Sequence, residues 1–417
     1  MNRLILQDAT ILDGENGPRR SNLTIAGDRI EAVGEAPYEA RPGDRVVPLG
    51  GRTVMPGMVL GHYHAAYWKM KAGVPIGLDA PTPLQTLRAA ANIRLALDSG
   101  FTGIIGAGSP NGIDIGLKNA IAEGTIVGPR IVACSRDVSA TGHSSDMSYP
   151  SHWAIGARAG INLADGADAF RRAVRQEVKD GAEIIKLFVT RGHATGGTGQ
   201  EMEITRDEFT AAVEAAHDRG AKVRAHIANR DAILMALDLG IHIIDHGDGF
   251  DERCIERSLR QDVYLTPSLL YPKVVIGAMP GVPYTDEMIE PFEQMKRDLP
   301  AINAAGVKIL LGDDYGAMFM DHGRYGEELA LYVDIPALDV IRWATKNGAE
   351  AMGLGDQTGT LTPGKLADIV VLDGDPLADI TILQDPARIL AVFKGGAAAK
   401  DELGALNPNE ADVTGRH

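Results

Sequence analysis

Through residues 56–356, short apolar segments alternate with stretches of helical periodicity, and this repeat constrains the fold more than any other feature of the chain. Eight strand candidates end near His62, Gly106, Cys134, Lys186, His226, His246, Thr266 and Asp314. Strands separated by helices run parallel, because each helix returns the chain to the end from which it started. The intervening segments carry helix punctuation. Thr205-Arg206-Asp207-Glu208 has the capping-box pattern with Gly220 at the expected stop, and 229–239 reads as a helix closed by Gly240. Eight such units predict an α/β fold, a TIM (β/α)8 barrel over 56–356.

The two ends read differently. Leu4-Ile5-Leu6, Asn22-Leu23-Thr24-Ile25 and Arg29-Ile30-Glu31-Ala32-Val33 are strand-like, with Asp13-Gly14 and Gly27-Asp28 as turns. The same pattern returns at Ile369-Val370-Val371-Leu372 and Ile389-Leu390-Ala391-Val392-Phe393. Residues 1–55 and 357–400 are therefore predicted to form one small composite β-sandwich domain, with 401–417 as a tail.

Composition narrows the function classes. Of the 417 residues, 41 are Lys or Arg and 56 are Asp or Glu, a net charge of −15, which argues against nucleic acid or an anionic membrane as partner. Two distant cysteines, Cys134 and Cys254, make no disulfide framework. The start of the chain turns polar too early for a secretory signal, and no apolar run is long enough for a membrane span. The expectation is a cytoplasmic protein, a homo-oligomer, acting on a small molecule.

Catalytic groups of a TIM barrel collect at the carboxyl ends of its strands. Here those ends carry His62 and His64, then Lys186, His226, His246 and the pair Asp313-Asp314. Residues two apart on a strand face the same way, so His62 and His64 can turn to one metal ion. Imidazole and carboxylate suit zinc and other transition metals. A protonated lysine cannot join such a group, but carboxylated by carbon dioxide it becomes a carbamate whose two oxygens can bridge two ions. Taken singly, each residue has a plainer reading: a packed His-x-His pair, a lysine reaching solvent, an ordinary acidic loop. Five strand ends in the right order favour the metal site.

This order of His-x-His, Lys, His, His and Asp resembles the amidohydrolase superfamily, in its branch with a carboxylated lysine. Thr53-Val54-Met55-Pro56-Gly57-Met58-Val59, Ala344-Thr345-Lys346-Asn347-Gly348-Ala349-Glu350-Ala351 and Gly359-Thr360-Leu361-Thr362-Pro363-Gly364-Lys365-Leu366-Ala367-Asp368 are similar to that family's approach to the first strand, late helix and return to the β domain. The chain looks most similar to imidazolonepropionase-like and prolidase-like members. The resemblance implies two divalent metal ions, zinc foremost. His62 and His64 would hold one, His226 and His246 the other, and Lys186 would bridge them. Asp314 would bind the first ion and take the proton of the attacking water; it is favoured over Asp313 because the family's Gly-Thr-Asp falls on Gly312-Asp313-Asp314. His143 would polarise the substrate carbonyl, while His193 and Tyr67 would line the substrate pocket. Leu60 stands where the family usually has aspartate, and Arg224, sharing the face of His226, has no partner the sequence can name. The implied activity is hydrolysis of a modest amide: an N-acyl amino acid, dipeptide or aryl amide. Alternatives are a cyclic-amide or amidine hydrolase, a deaminase with one metal, a lactone or ester hydrolase, and a scaffold without catalysis.

Overall fold

The computed structural model describes residues 3–35, 41–70, 79–142, 146, 160–192 and 199–404. It is an α/β structure with parallel sheets between strands drawn from the two ends of the chain. Seven strands, Cys134–Ser139, Ile161–Leu163, Ile184–Phe188, Lys222–Ile227, Ile243–His246, Tyr264–Thr266 and Lys308–Ile309, form one parallel sheet. Three more, Met58–Tyr63, Phe101–Gly106 and Arg130–Val132, form a second parallel sheet. From Ile161–Leu163 onward each of these strands is followed by a helix up to Lys308–Ile309, as the crossovers of parallel strands require. At Arg206–His217 the capping box is complete. Thr205 Oγ1 accepts from the Glu208 amide at 3.3 Å, and the Glu208 carboxylate accepts from the Thr205 amide at 2.8 Å. Asn229 caps Arg230–Leu239, and Gly240 ends it in a left-handed conformation.

Three details differ from the strand ends expected above. Cys134 does not close the third strand; after Ala133 the chain continues extended as Cys134–Ser139 and changes partners from Phe101–Gly106 to Ile184–Phe188. The short strand Ile161–Leu163 was not foreseen. The last strand stops at Ile309, well before Asp314, because the residues beyond it bond to the first strand instead. Gly61 N donates to Leu311 O at 2.5 Å and Asp313 N to His62 O at 3.1 Å.

The strands from the chain ends join in a third sheet of eight, in the order Ala397–Asp401, Ile389–Lys394, Ile369–Leu372, Thr53–Pro56, Arg3–Ile11, Arg19–Ala26, Arg29–Gly34, with Arg45–Pro48 also paired to Arg3–Ile11. Asp401, where the tail was expected to start, closes the last strand opposite Ala391; an edge strand tolerates the polar Lys400-Asp401 ending. Residues 405–417 lie outside the described residues. Both faces of this sheet are covered along Ile369–Leu372. Ile369 and Val371 enter the small core with Leu6 and Phe393, while Val370 and Leu372 enter the large core with Met58 and Leu97. Alternation of side chains along a strand sends successive residues into different cores, which explains an unbroken apolar run here. Asp368, just before this strand, accepts both arms of Arg130 at 2.9 and 3.0 Å and pins the sheet to the parallel strands.

Gly312 is where the chain crosses closest to the first strand. It has φ +150°, and a Cβ there would lie 2.2 Å from the His62 nitrogen. Gly312→Ala is therefore expected to cost about 2–4 kcal/mol of unfolding free energy, a mix of steric displacement and backbone strain. Denaturant unfolding checks this; a midpoint equal to wild type would show that the close approach is not obligatory.

Candidate metal centre

The first strand delivers two imidazoles. His62 is fully buried and His64 nearly so. His62 Nε2 lies 3.0 Å and His64 Nε2 3.2 Å from the same oxygen, Asp314 Oδ1, and the two nitrogens are 3.2 Å apart. His64 Nδ1 donates to the Gly108 carbonyl at 3.2 Å, which leaves its Nε2 with a free lone pair. Burial holds the His64 imidazole down at about 4, so it is neutral near pH 7. Burial also opposes the charge on Asp314, but His62, and then His64 and His246, hold its carboxyl well below the usual carboxylate range.

Asp314 owes its position to the bonds of its own loop. The Asp314 amide donates to Asp313 Oδ1 at 2.7 Å, and Asp313 Oδ2 accepts from the amides of Leu270 at 2.6 Å and Tyr271 at 3.1 Å. Glu328 accepts from the Gly312 amide at 3.2 Å and from the hydroxyls of Tyr315 and Tyr332, each at 2.8 Å. Of the two adjacent aspartates, Asp314 faces the imidazoles and Asp313 anchors the loop. Burial raises the Glu328 carboxyl to about 7.

His246 ends its strand with φ +66°, a left-handed backbone unusual for histidine. This turns its ring inward, where a ligand atom of His246 lies within 4.8 Å of those of His62 and Asp314. The His226 ring is 4.5 Å from that of His246 and stacks on Phe188 at 4.9 Å; its Nε2 lies 2.9 Å from the Arg191 carbonyl. Lys186, 1% exposed, sits beside Phe188 with its Nζ 2.6 Å from Asp245 Oδ2. Tyr67 lies flat against His64, with ring centroids 3.9 Å apart. His143 and His193 lie outside the described residues.

Sequence reasoning missed three buried carboxylates. Glu328 sits near the end of the short helix Tyr325–Leu329, with no motif to mark it. Asp137 shares the register of Lys186 on the neighbouring strand, its carboxyl pushed up by burial to about 7, and its Oδ1 meets no hydrogen-bond partner among the described residues. Asp245 precedes His246, so regular alternation would point it away from the site. The left-handed turn at His246 lets both side chains face inward. Asp245 is also the partner Arg224 lacked in the sequence, accepting its Nε at 3.1 Å. Burial opposes a charge there, but Arg224 and then Lys186 hold the Asp245 carboxyl well below its ordinary range.

Can these residues hold a metal ion? Ligand atoms about 2.0–2.1 Å from a tetrahedral ion lie about 3.3 Å from one another. The His62, His64 and Asp314 donor atoms are 3.0–3.2 Å apart, and the donors are imidazole nitrogen and carboxylate oxygen. Both spacing and chemistry fit a divalent transition metal.

Imidazoles and a carboxylate gathered where parallel strands end are a common setting for hydrolytic metal chemistry. Residues 53–399 match the amidohydrolase family, and the chain belongs to it, an enzyme that hydrolyses carbon–nitrogen bonds of the amide type. Ochratoxinase of Aspergillus niger is 25% identical over 436 aligned residues, covering 95% of this chain and 86% of its own length. A solved Xaa-Pro dipeptidase with methionine in its active site superposes with a TM-score of 0.85 and 26% identity, over 95% of this chain and 99% of that one. A prolidase complexed with N-methylphosphonate-L-proline gives 0.85 and 28%, over 96% and 100%.

His242, four residues before His246, lies away from this centre, edge-on to His217 at 5.6 Å. Burial, with Lys222 and His217 adding to it, holds its imidazole at about 4 against 6.5 for an exposed histidine. The unfolded chain therefore binds a proton there that the folded chain refuses. The stabilisation from a neutral His242 is complete above pH 6.5 and is lost as pH falls from 6.5 towards 4. His242→Leu is expected to flatten the fall of unfolding free energy over that window relative to wild type. Denaturant titrations at several pH values check this, and parallel curves for the two proteins would refute it.

Proposed function

We propose that this protein is a binuclear zinc amidohydrolase of small amides. In this reading the strands at 56–356 close as a TIM (β/α)8 barrel beside a β unit built from 1–55 and 357–400, and the protein works as a cytoplasmic homo-oligomer. The observation that carries the proposal is the convergence of His62 and His64 on a single oxygen of Asp314.

His62, His64 and Asp314 would hold one ion, and His226 and His246 the other. Lys186 would bridge them once carboxylated: its ammonium gives up one proton, the neutral amine adds carbon dioxide to form an N–C bond, and a second proton leaves, so that a carbamate anion replaces a cation. An unmodified ammonium at a buried dication site is electrostatically unfavourable, which supports the modified form. Bound metal supplies Lewis acidity and lowers the pKa of water.

The chain's own groups do the rest. The imidazole of His64, its Nδ1–H held by the Gly108 carbonyl, would give its Nε2 lone pair to the ion and so serve as a ligand, not as the base. Asp314, ionised by its surroundings, can accept that proton and pass it to the nitrogen as the C–N bond breaks, leaving a carboxylic acid and an amine. His143 is the candidate for holding the carbonyl oxygen, and His193 and Tyr67 for lining the substrate pocket. Ochratoxinase, prolidase and dipeptidase among the relatives support N-acyl amino acids, dipeptides and aryl amides as the substrate class.

Purified enzyme reconstituted with zinc and bicarbonate is expected to carry two ions per chain by elemental analysis and to hydrolyse members of that panel. Asp314→Asn is expected to lower kcat/KM about 10²–10⁴-fold, the usual range for a positioned acid–base group. Lys186→Ala is expected to lose metal and activity together. One ion or fewer in the wild type, or full activity in either variant, would overturn the proposal.

A further inference from the structure

Arg224 is fully buried, as is Asp245, on the neighbouring strand. A guanidinium so placed must satisfy its donors within the protein. Arg224 does so across both parallel sheets. Its Nη1 donates to the Gly61 carbonyl at 2.9 Å and to the Gly106 carbonyl at 2.7 Å, on two strands of the three-stranded sheet. Its Nε and Nη2 grip the two oxygens of Asp245 as a fork. Asp245 in turn touches two more groups. Its Oδ2 accepts from Lys186 Nζ at 2.6 Å, and its Oδ1 faces His62 Nδ1 at 3.2 Å, an ionic contact whose angle falls short of a well-formed hydrogen bond. One carboxylate thus connects the arginine to a histidine proposed for the first ion and to the proposed bridging lysine.

We propose that Arg224 and Asp245 are positioning residues of the metal centre: a buried clamp that sets the ring of His62 and the amine of Lys186 for ligation. The inference rests on the function proposed above. Asp245 stands 3.2 Å from His62 Nδ1, on the side of the ring away from Asp314, and so fixes the edge that Nε2 presents to Asp314. A carbamate would keep one N–H on a planar conjugated group, so a bond from it to Asp245 would set the orientation of that plane. Arg224 fixes Asp245 in rotation, because a bidentate fork admits a single planar arrangement. It also grips the carbonyl immediately before His62, so the strand and the ring are located by the same side chain. Leu60, buried and apolar, gives that strand no polar support of its own.

Two conservative variants separate this role from simple packing. Asp245→Asn keeps the volume but presents an N–H where His62 or Lys186 requires an acceptor. Arg224→Lys keeps the charge but loses the fork. Zinc affinity of the full chain is measured by competition with a chromogenic chelator, stoichiometry by elemental analysis, and folding by near-ultraviolet circular dichroism. Each variant is expected to keep the wild-type spectrum and lose about 10–100-fold in zinc affinity, as removal of an outer-shell partner does. The double variant is expected to lose little more than the worse single one, because the two residues act as a unit.

Folded variants that bind zinc within about two-fold of wild type would overturn the clamp, since outer-shell losses are larger. Failure of both variants to fold, with or without zinc, would also overturn it, by showing the pair to be a folding element. Wild-type protein that binds fewer than two ions would instead refute the binuclear reading. Wild type with two ions and indifferent variants would refute only the clamp.

Discussion

A buried ion pair lies beneath the site, and the geometry above it depends on how that pair is satisfied. Desolvating a guanidinium and a carboxylate costs several kcal/mol each, and the attraction between them offsets this only when every remaining donor and acceptor finds a partner. In this chain most of those partners are in place. Arg224 meets two carbonyls and a carboxylate, and Asp245 meets Arg224, Lys186 and His62. Satisfying the pair requires five strands to stand in a particular relation, so the same contacts that make the charges tolerable also locate the imidazole and amine above them.

The opposite side of the centre is organised by backbone. Asp314 sits on a segment that is no longer strand, held by amide and hydroxyl donors converging on Asp313 and Glu328 and by the close passage of Gly312 over His62. Main-chain geometry, more than side-chain packing, sets the distance from the Asp314 carboxylate to the first strand. A fixed separation matters for a group expected both to bind and to transfer a proton, because proton transfer requires hydrogen-bond reach to the water.

Much of this was legible in the residues. Apolar runs ending near His62, Lys186, His226 and His246 announced the parallel strands, and Thr205, Asn229 and Gly240 marked helix ends where the structure has them. What could not be read depended on departures from regular geometry. Strict alternation assigns Asp245 and His246 to opposite faces; the positive φ of His246 cancels that rule. Arg224 looked unpaired because its partner lies on the next strand, 21 residues away, with no local signal linking them. Glu328 acts through Gly312 and two tyrosines, contacts that exist only after the fold closes around them. The third strand was misjudged at Cys134 because an extended chain that exchanges neighbours carries no turn residue at the exchange.

The strand Ile369–Leu372, with one set of side chains in each core, has a consequence for how the protein is made. It pairs with Thr53–Pro56, which leads straight into the strand bearing His62 and His64. During synthesis the earlier strand leaves the ribosome about 300 residues before its partner exists. At roughly 5–20 residues per second this leaves an apolar edge without its neighbour for about 15–60 s. The nascent chain must shelter that edge, by chaperone or by delayed collapse, until Ile369–Leu372 arrives to cover it.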